Sequence, residues 1–281
     1  MSSSIIYSYK LFNPLFWHIR DALRDDNIRY IINRGGSSSG KSVSVAQAIV
    51  LSVVAGDGSA LVLRKIGASI KNTVYEEFKV QIRRLQLSSF FSFQENCIKC
   101  VNGQKIDFSG LDDPEKIKSI TNYRYIVMEE ANEFEYTDFV QVTFRLRGKP
   151  GLKIIITFNP TSEELWIKKK IIDLQNFDEI PTNMSGVKDS VSGKILGIEY
   201  SKIYSKRKNR PKQILNERTG KYETYPSDTI ELVSTYKNNF WIVGSPDGKY
   251  GYYDNKTIAN YEWYRPVSYT HLRAHETDQY L

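Results

Sequence analysis

The run Arg34-Gly-Gly-Ser-Ser-Ser-Gly-Lys-Ser42 constrains this chain more than any other stretch. Gly35, Gly40, Lys41 and Ser42 fill the pattern G-x-x-x-x-G-K-[ST]. Glycines at that spacing let the backbone curl until successive N–H groups point inward at phosphate oxygens. A lysine there reaches the β and γ phosphates, and the following hydroxyl can ligate Mg²⁺. Such a loop works only between a strand and a helix, because the helix N-terminus supplies positive potential beneath the phosphates. Both flanks agree: residues 28–33 form a short β-rich run, and residues 43–55 an apolar helical stretch closed by Gly56. Gly35, Gly36, Ser37, Ser38, Ser39, Gly40, Lys41 and Ser42 are the expected nucleotide contacts, ATP with Mg²⁺ being the expected ligand.

The rest of the chain repeats this alternation. A helix is expected over residues 14–25, and strands over 60–65, 125–128 and 153–157. Helices are expected over 69–85, where Ile70, Val74, Phe78 and Ile82 keep helical register, over 134–145 and around 163–174. Residues 91–108 alternate polar and apolar around Asn102-Gly103, a hairpin signal. Strands alternating with helices imply an α/β fold, a mostly parallel sheet with helices on both faces. Ligands of such sheets bind at the carboxyl ends of the strands. Gly35, Glu129 and Thr157 each follow a strand end, so all three can converge on one site.

Tyr125-Ile-Val-Met128 runs directly into Glu129-Glu130. Four apolar residues followed by two carboxylates fit the second nucleotide motif of phosphate-loop ATPases. Glu129 is then the Mg²⁺-side acid and Glu130 the group that polarises the attacking water. The other reading is an acidic helix start beside a strand. Thr157-Phe-Asn-Pro160 follows the next strand, and Thr157 or Asn159 can sense the γ-phosphate there; an Asn-Pro turn is the alternative. Arg145 and Arg147 are candidates for an arginine finger reaching a neighbouring subunit, or else the solvated end of a helix.

Composition excludes more than it selects. The chain has 281 residues, 41% hydrophobic and 25% charged, with no run near the roughly 18 apolar residues of a membrane span. Its start lacks a signal-peptide pattern, so a reducing cellular interior is expected. Cys97 and Cys100 form C-x-x-C without a second pair, which fits a hairpin arm as readily as a metal or redox site. The formal charge of +7 favours a polyanionic partner weakly. Basic clusters lie at 168–170 and at 202–212, the latter holding Lys202, Lys206, Arg207, Lys208, Arg210 and Lys212. Phosphate contacts of this kind suit sequence-independent DNA binding; a solvated flexible loop is the other reading. Residues 267–281 look like one reading frame of a sequencing-library adapter and are excluded from the fold. His271 and His275 go with them, leaving His18 as the single histidine and no histidine-based site.

Taken in order, the glycine loop, Leu61-Val-Leu-Arg-Lys65, residues 108–118, Ile126-Val-Met-Glu-Glu-Ala131 and Thr157-Phe-Asn-Pro160 resemble the ATPase domain of a tailed-phage terminase large subunit. Ser234-Thr-Tyr-Lys-Asn-Asn239 and residues 257–262 resemble the family's later segments. The resemblance implies a P-loop NTPase of the ASCE type that hydrolyses ATP with Mg²⁺ and drives viral double-stranded DNA into a prohead. It implies Lys41 and Ser42 on ATP and Mg²⁺, Glu129 as metal-side acid, Glu130 as catalytic residue, Thr157 with Asn159 as coupling motif, and Arg64 on the nucleotide or relaying its state. It further implies a terminase small subunit, a portal protein and a homo-oligomeric ring as partners, with no membrane, in the host cytoplasm and outside the mature virion. One departure is that Arg34 precedes the glycines, whereas many family members carry arginine within the loop. The expected organisation is an N-terminal arm (1–27), an ATPase core (28–186), a small subdomain or linker (187–266) and the adapter-like tail (267–281). A nuclease domain is expected to follow in the natural chain, so nuclease activity is expected to be absent here, and Asp247 and Asp254 are not assigned to one. The alternatives are a helicase-like or other DNA-stimulated P-loop ATPase, or a non-catalytic nucleotide-binding assembly module.

Overall fold

The computed structural model describes residues 11–70, 73–111, 122–145, 151–184 and 201–239, and the statements below concern those residues. In chain order the first elements are α1 (Pro14–Arg24), β1 (Tyr30–Gly35), α2 (Lys41–Val54), β2 (Ala60–Arg64), the short α3 (Gly67–Ile70) and α4 (Val74–Arg84). Then come β3 (Phe91–Gln94), β4 (Cys97–Cys100), β5 (Lys105–Gly110), β6 (Tyr125–Met128), α5 (Tyr136–Arg145) and β7 (Lys153–Phe158). The last are β8 (Phe177–Glu179), β9 (Ser205–Asn209), β10 (Lys212–Asn216), β11 (Lys221–Tyr225) and β12 (Thr229–Ser234).

Ten strands form one sheet in the order β3-β4-β5-β2-β6-β7-β1-β12-β9-β8. From β5 to β12 every neighbouring pair is parallel, and both edges are antiparallel. Every residue of β2, β6 and β7 is buried, because helices cover both faces and leave no polar side for alternation. Period-2 geometry then divides their side chains. Ile31, Val62, Val127 and Ile155 join α1, α2 and α4 in one apolar layer. Ile32, Leu63, Met128 and Ile156 join α5 and a π-helical turn at Ile167–Ile172 in the other. This is the α/β P-loop-type architecture expected from the alternation of elements.

Several expectations change in detail. The helix expected over 69–85 is two pieces, α3 and α4. The single hairpin over 91–108 is a three-stranded antiparallel edge, with Asn102-Gly103 turning between β4 and β5; Gly103 has φ +87°, a conformation glycine adopts freely. In the N-terminal arm, the expected helix is α1, and its Leu15, Phe16 and Ile19 are buried in the layer beneath α2.

The sheet also runs past residue 186, where the expected core stops. β12 lies beside β1 and parallel to it, and β9 and β8 follow it to the edge. The basic run is accordingly a strand rather than a solvated loop. Three of its charges are engaged within the chain, while Lys202 and Lys212 stay exposed: Arg207 binds Glu231, Lys208 lies 3.3 Å from Asp25, and Arg210 binds Asp178 at 2.8 Å. Arg207 also lies over the Phe177 ring at 5.0 Å. In the 168–170 cluster, Lys168 and Lys169 pair with Asp173 and Glu164. Residues 112–118, Arg147, Asp247, Asp254, 257–262 and the adapter-like tail lie outside the described residues.

Cys97 and Cys100 sit three apart on β4, which sends them to opposite faces. Burial, reinforced by Asp107, pushes the Cys97 thiol up to about 12, so it holds its proton at neutral pH. No cluster of three metal-ligating side chains occurs among the described residues.

Candidate phosphate-loop site

β1 delivers Gly35 to the carboxyl edge of the sheet, and α2 begins at Lys41. Between them the chain needs left-handed backbone at Ser38 (φ +61°) and Gly40 (φ +80°). Gly35 has no room for a side chain: a Cβ there would stand 2.5 Å from the Ser234 carbonyl oxygen and 2.6 Å from Ser39 Oγ. The loop thus packs against the end of β12. At the start of α2, the first N–H groups have no carbonyl one turn earlier to bond, which makes the helix end an anion site.

Lys41 is buried, and its ammonium folds into the loop. It donates to the carbonyls of Gly35 (2.7 Å) and Gly36 (2.9 Å), to Ser39 Oγ (3.2 Å) and to Asn159 Oδ1 (2.9 Å). Burial pushes its pKa down to about 8, while the charges of Glu129 and Glu130 hold it up. A polyanion arriving there would favour the ammonium further.

β6 and β7 supply the opposite wall. Glu129 is buried, one carboxylate oxygen accepting from the Ser42 hydroxyl and the other from the Thr157 hydroxyl. Three sequence-distant residues thereby meet on one carboxylate. Asn159, two residues past Thr157, bonds Lys41, so the end of β7 touches both the loop lysine and, through Thr157, the acid. These groups line a cleft of about 230 Å³ formed by Ser37 to Val43, Glu129, Glu130, Thr157 to Asn159 and Asn239. Ser42 and Glu129 supply adjacent hard oxygen donors, one hydroxyl and one carboxylate. That set fits Mg²⁺, which keeps waters and phosphate oxygens rather than an all-protein cage.

Glu130 follows in a left-handed conformation, φ +50°, unusual for a residue with a side chain. Its carboxylate is partly exposed and binds the guanidinium of Arg64, which also bonds Glu133 at 3.1 Å. Burial raises the Glu130 carboxyl, Arg64 opposes that shift, and Glu133 and Glu129 add to it. Arg64 is not part of the cleft lining; it stands behind Glu130. Arg34 turns away from the loop and pairs at 3.2 Å with Glu231, a fully buried carboxylate that Arg207 also binds. Arg145 ends α5.

Asn239 is the lining residue that motif reasoning did not find, and Asn13 stands behind it. Asn13 precedes Pro14 in a helix-start pattern that says nothing of a ligand site, and Asn239 lies in no phosphate-binding motif. The one signal was Asn239's place in the Ser234–Asn239 segment, read only as part of a resemblance.

A family model described as phage terminase large subunit matches residues 27–268. The PBSX phage terminase large subunit of Bacillus subtilis (strain 168) is 32% identical over 161 residues, covering 56% of this chain and 36% of that protein. The terminase large subunit of Bacillus phage SPP1 is 27% identical over 173 residues, covering 56% of this chain and 41% of its own length. The chain thus spans well under half the length of these curated relatives. The large terminase of a thermophilic bacteriophage, solved in complex with ADP, superposes with a TM-score of 0.50 at 14% identity, over 85% of this chain and 48% of that one; this likeness concerns the fold. With the matched span covering most of its length, the chain belongs to the phage terminase large subunit family.

Proposed function

We propose that this chain hydrolyses ATP and that hydrolysis drives viral double-stranded DNA into a prohead. The observation that carries the reading is the shared carboxylate: Glu129 accepts from Ser42 of the loop and Thr157 of β7 at once. A phosphate-loop hydroxyl, an acid and an output strand are thereby joined in one cleft.

The roles follow from position. Lys41 and the N–H groups at the start of α2 bind the β and γ phosphates of ATP. Ser42 and Glu129 would hold Mg²⁺, directly or through its waters, and the ion would supply positive charge against the charge developing on the transferring phosphoryl group. Glu130 accepts a hydrogen bond from the attacking water and takes up its proton; burial raises its carboxyl above the usual carboxylate value, which makes it a stronger base. Arg64 holds that carboxylate in place. Loss of the γ-phosphate changes what Lys41 binds, and Asn159 carries that change to β7. Arg145 and Arg147 are proposed to act on a neighbouring subunit's nucleotide in a homo-oligomeric ring. Terminase small subunit and portal protein are the proposed partners, in the host cytoplasm.

Glu130→Gln keeps the shape of the site and removes the base. In the full chain it should bind ATP as tightly as the wild type while DNA-stimulated phosphate release falls by about 10²-fold or more. Unchanged turnover in a variant that binds ATP would favour a non-catalytic assembly module. Strand separation on a forked duplex would favour a helicase-like enzyme.

A further inference from the structure

Two asparagines separated by 226 residues meet at the phosphate loop. Asn13 occupies the position before α1, yet its side chain makes no capping hydrogen bond to that helix. That is the usual task of asparagine there. Its amide, fully buried, instead faces the loop: a Cβ built at Gly40 would stand 2.7 Å from Asn13 Nδ2. Asn13 Nδ2 also donates to Asn239 Oδ1 at 3.4 Å. Asn239 then donates through its own Nδ2 to the Ser38 carbonyl at 2.9 Å.

Asn239 is itself held. It follows a turn at Tyr236–Asn238 closed by a reciprocal Thr235–Asn238 capping box, and its N–H bonds the Tyr236 carbonyl at 3.0 Å. Asn238 ties the turn to the Lys202 carbonyl at 2.9 Å. Its target is the one non-glycine residue of the loop with positive φ, Ser38. Peptide groups are planar and trans, so fixing the Ser38 carbonyl also fixes the opposed N–H of Ser39. That N–H reaches back to the Gly36 carbonyl at 3.4 Å, closing the turn in which Lys41 is seated.

We propose that Asn239, backed by Asn13, is a positioning residue for nucleotide binding: it holds the strained Ser38 peptide in the orientation that shapes the phosphate cradle. The inference rests on the nucleotide reading given above. It makes phosphate affinity depend on the turn after β12, a segment that carries none of the recognised phosphate-loop motifs.

The test uses the full 281-residue chain and titration with a fluorescent ATP analogue and Mg²⁺, with Lys41→Ala as the loop-dependent reference. Asn239→Ala should weaken binding roughly fivefold to tenfold, the loss of one hydrogen bond to a buried carbonyl. Turnover at saturating ATP should stay within about twofold, because the chemistry lies at Glu130. Asn239→Leu keeps the approximate volume and lacks the donor without adding a charge, so it should bind at least as weakly as Asn239→Ala; a packing role predicts near-wild-type binding by this variant. It also carries the test if the alanine variant fails to fold, as judged by thermal melting without nucleotide. Asn13→Ala should have a smaller effect, and the double alanine variant should be no worse than Asn239→Ala alone. Wild-type affinity in Asn239→Leu, while Lys41→Ala abolishes binding, overturns the proposal. Multiplicative effects in the double variant overturn the part given to Asn13. Absence of any Lys41-dependent binding by the wild type overturns the nucleotide reading and this inference together.

Discussion

Lowering the pH from 7 to 5 should cost this protein stability through His18, a residue outside the nucleotide cleft. His18 is fully buried on α1, and its Nε2 bonds the Ser201 carbonyl at 2.6 Å, so the neutral ring donates there. Burial pushes its pKa from 6.5 to about 4; nearby Lys206 adds to the shift, and the Ser201 and Thr182 carbonyls oppose it. The folded value lies below the unfolded one, so the unfolded chain binds the proton more readily. Stability is therefore full above pH 6.5 and is lost as pH falls toward 4. At about 1.4 kcal/mol per unit, the loss is about 2 kcal/mol by pH 5 and approaches about 3 kcal/mol below pH 4. The measurement is urea unfolding at pH 7, 6 and 5 for the wild type and for His18→Gln. All other titrating groups are common to both chains, so the difference in their pH slopes isolates His18. The variant should start less stable at pH 7 yet lose about 2 kcal/mol less on the way to pH 5. Parallel slopes for the two proteins would refute the argument that burial keeps this ring neutral.

Two further outcomes follow from charges around the cleft. Arg64→Ala removes the cation that opposes the raised pKa of Glu130, so the acid limb of ATP turnover should move to higher pH, read from kcat/KM profiles; an unmoved limb removes Arg64 from the mechanism. Glu231→Gln breaks the buried pairings with Arg34 and Arg207, and should lower stability by about 1–3 kcal/mol in urea unfolding, tempered because both arginines retain some exposure to water.

Much of this site was legible because its parts obey local rules. The glycine loop needs fixed spacing, and Tyr125–Met128 and Lys153–Phe158 are apolar runs short enough to be buried strands. Glu129 directly follows the first and Thr157 lies one residue before the end of the second, so strand ends alone located both. β12 was not legible for the opposite reason. Thr-Ile-Glu-Leu-Val-Ser alternates like a strand with one wet face, yet Glu231 is fully buried, because Arg34 and Arg207 from neighbouring strands neutralise it. The pairings of Arg207, Lys208 and Arg210 within the basic run were not legible for the same reason: their partners Glu231, Asp25 and Asp178 lie far off in sequence. Asn13 and Asn239 are two ordinary polar residues until the sheet brings the ends of the fold together.

The pairing of β1 with β12 sets an order for how this protein comes into being. Tyr30 aligns with Thr229, so the strand leading into the phosphate loop waits for a partner synthesised roughly 200 residues later. Until then the side of β1 that β12 covers has its backbone unpaired, an invitation to wrong pairing. Gly35 likewise lacks the Ser234 backbone it packs against, and Ser38 lacks Asn239. The phosphate loop is thus made long before the residues that complete its shape.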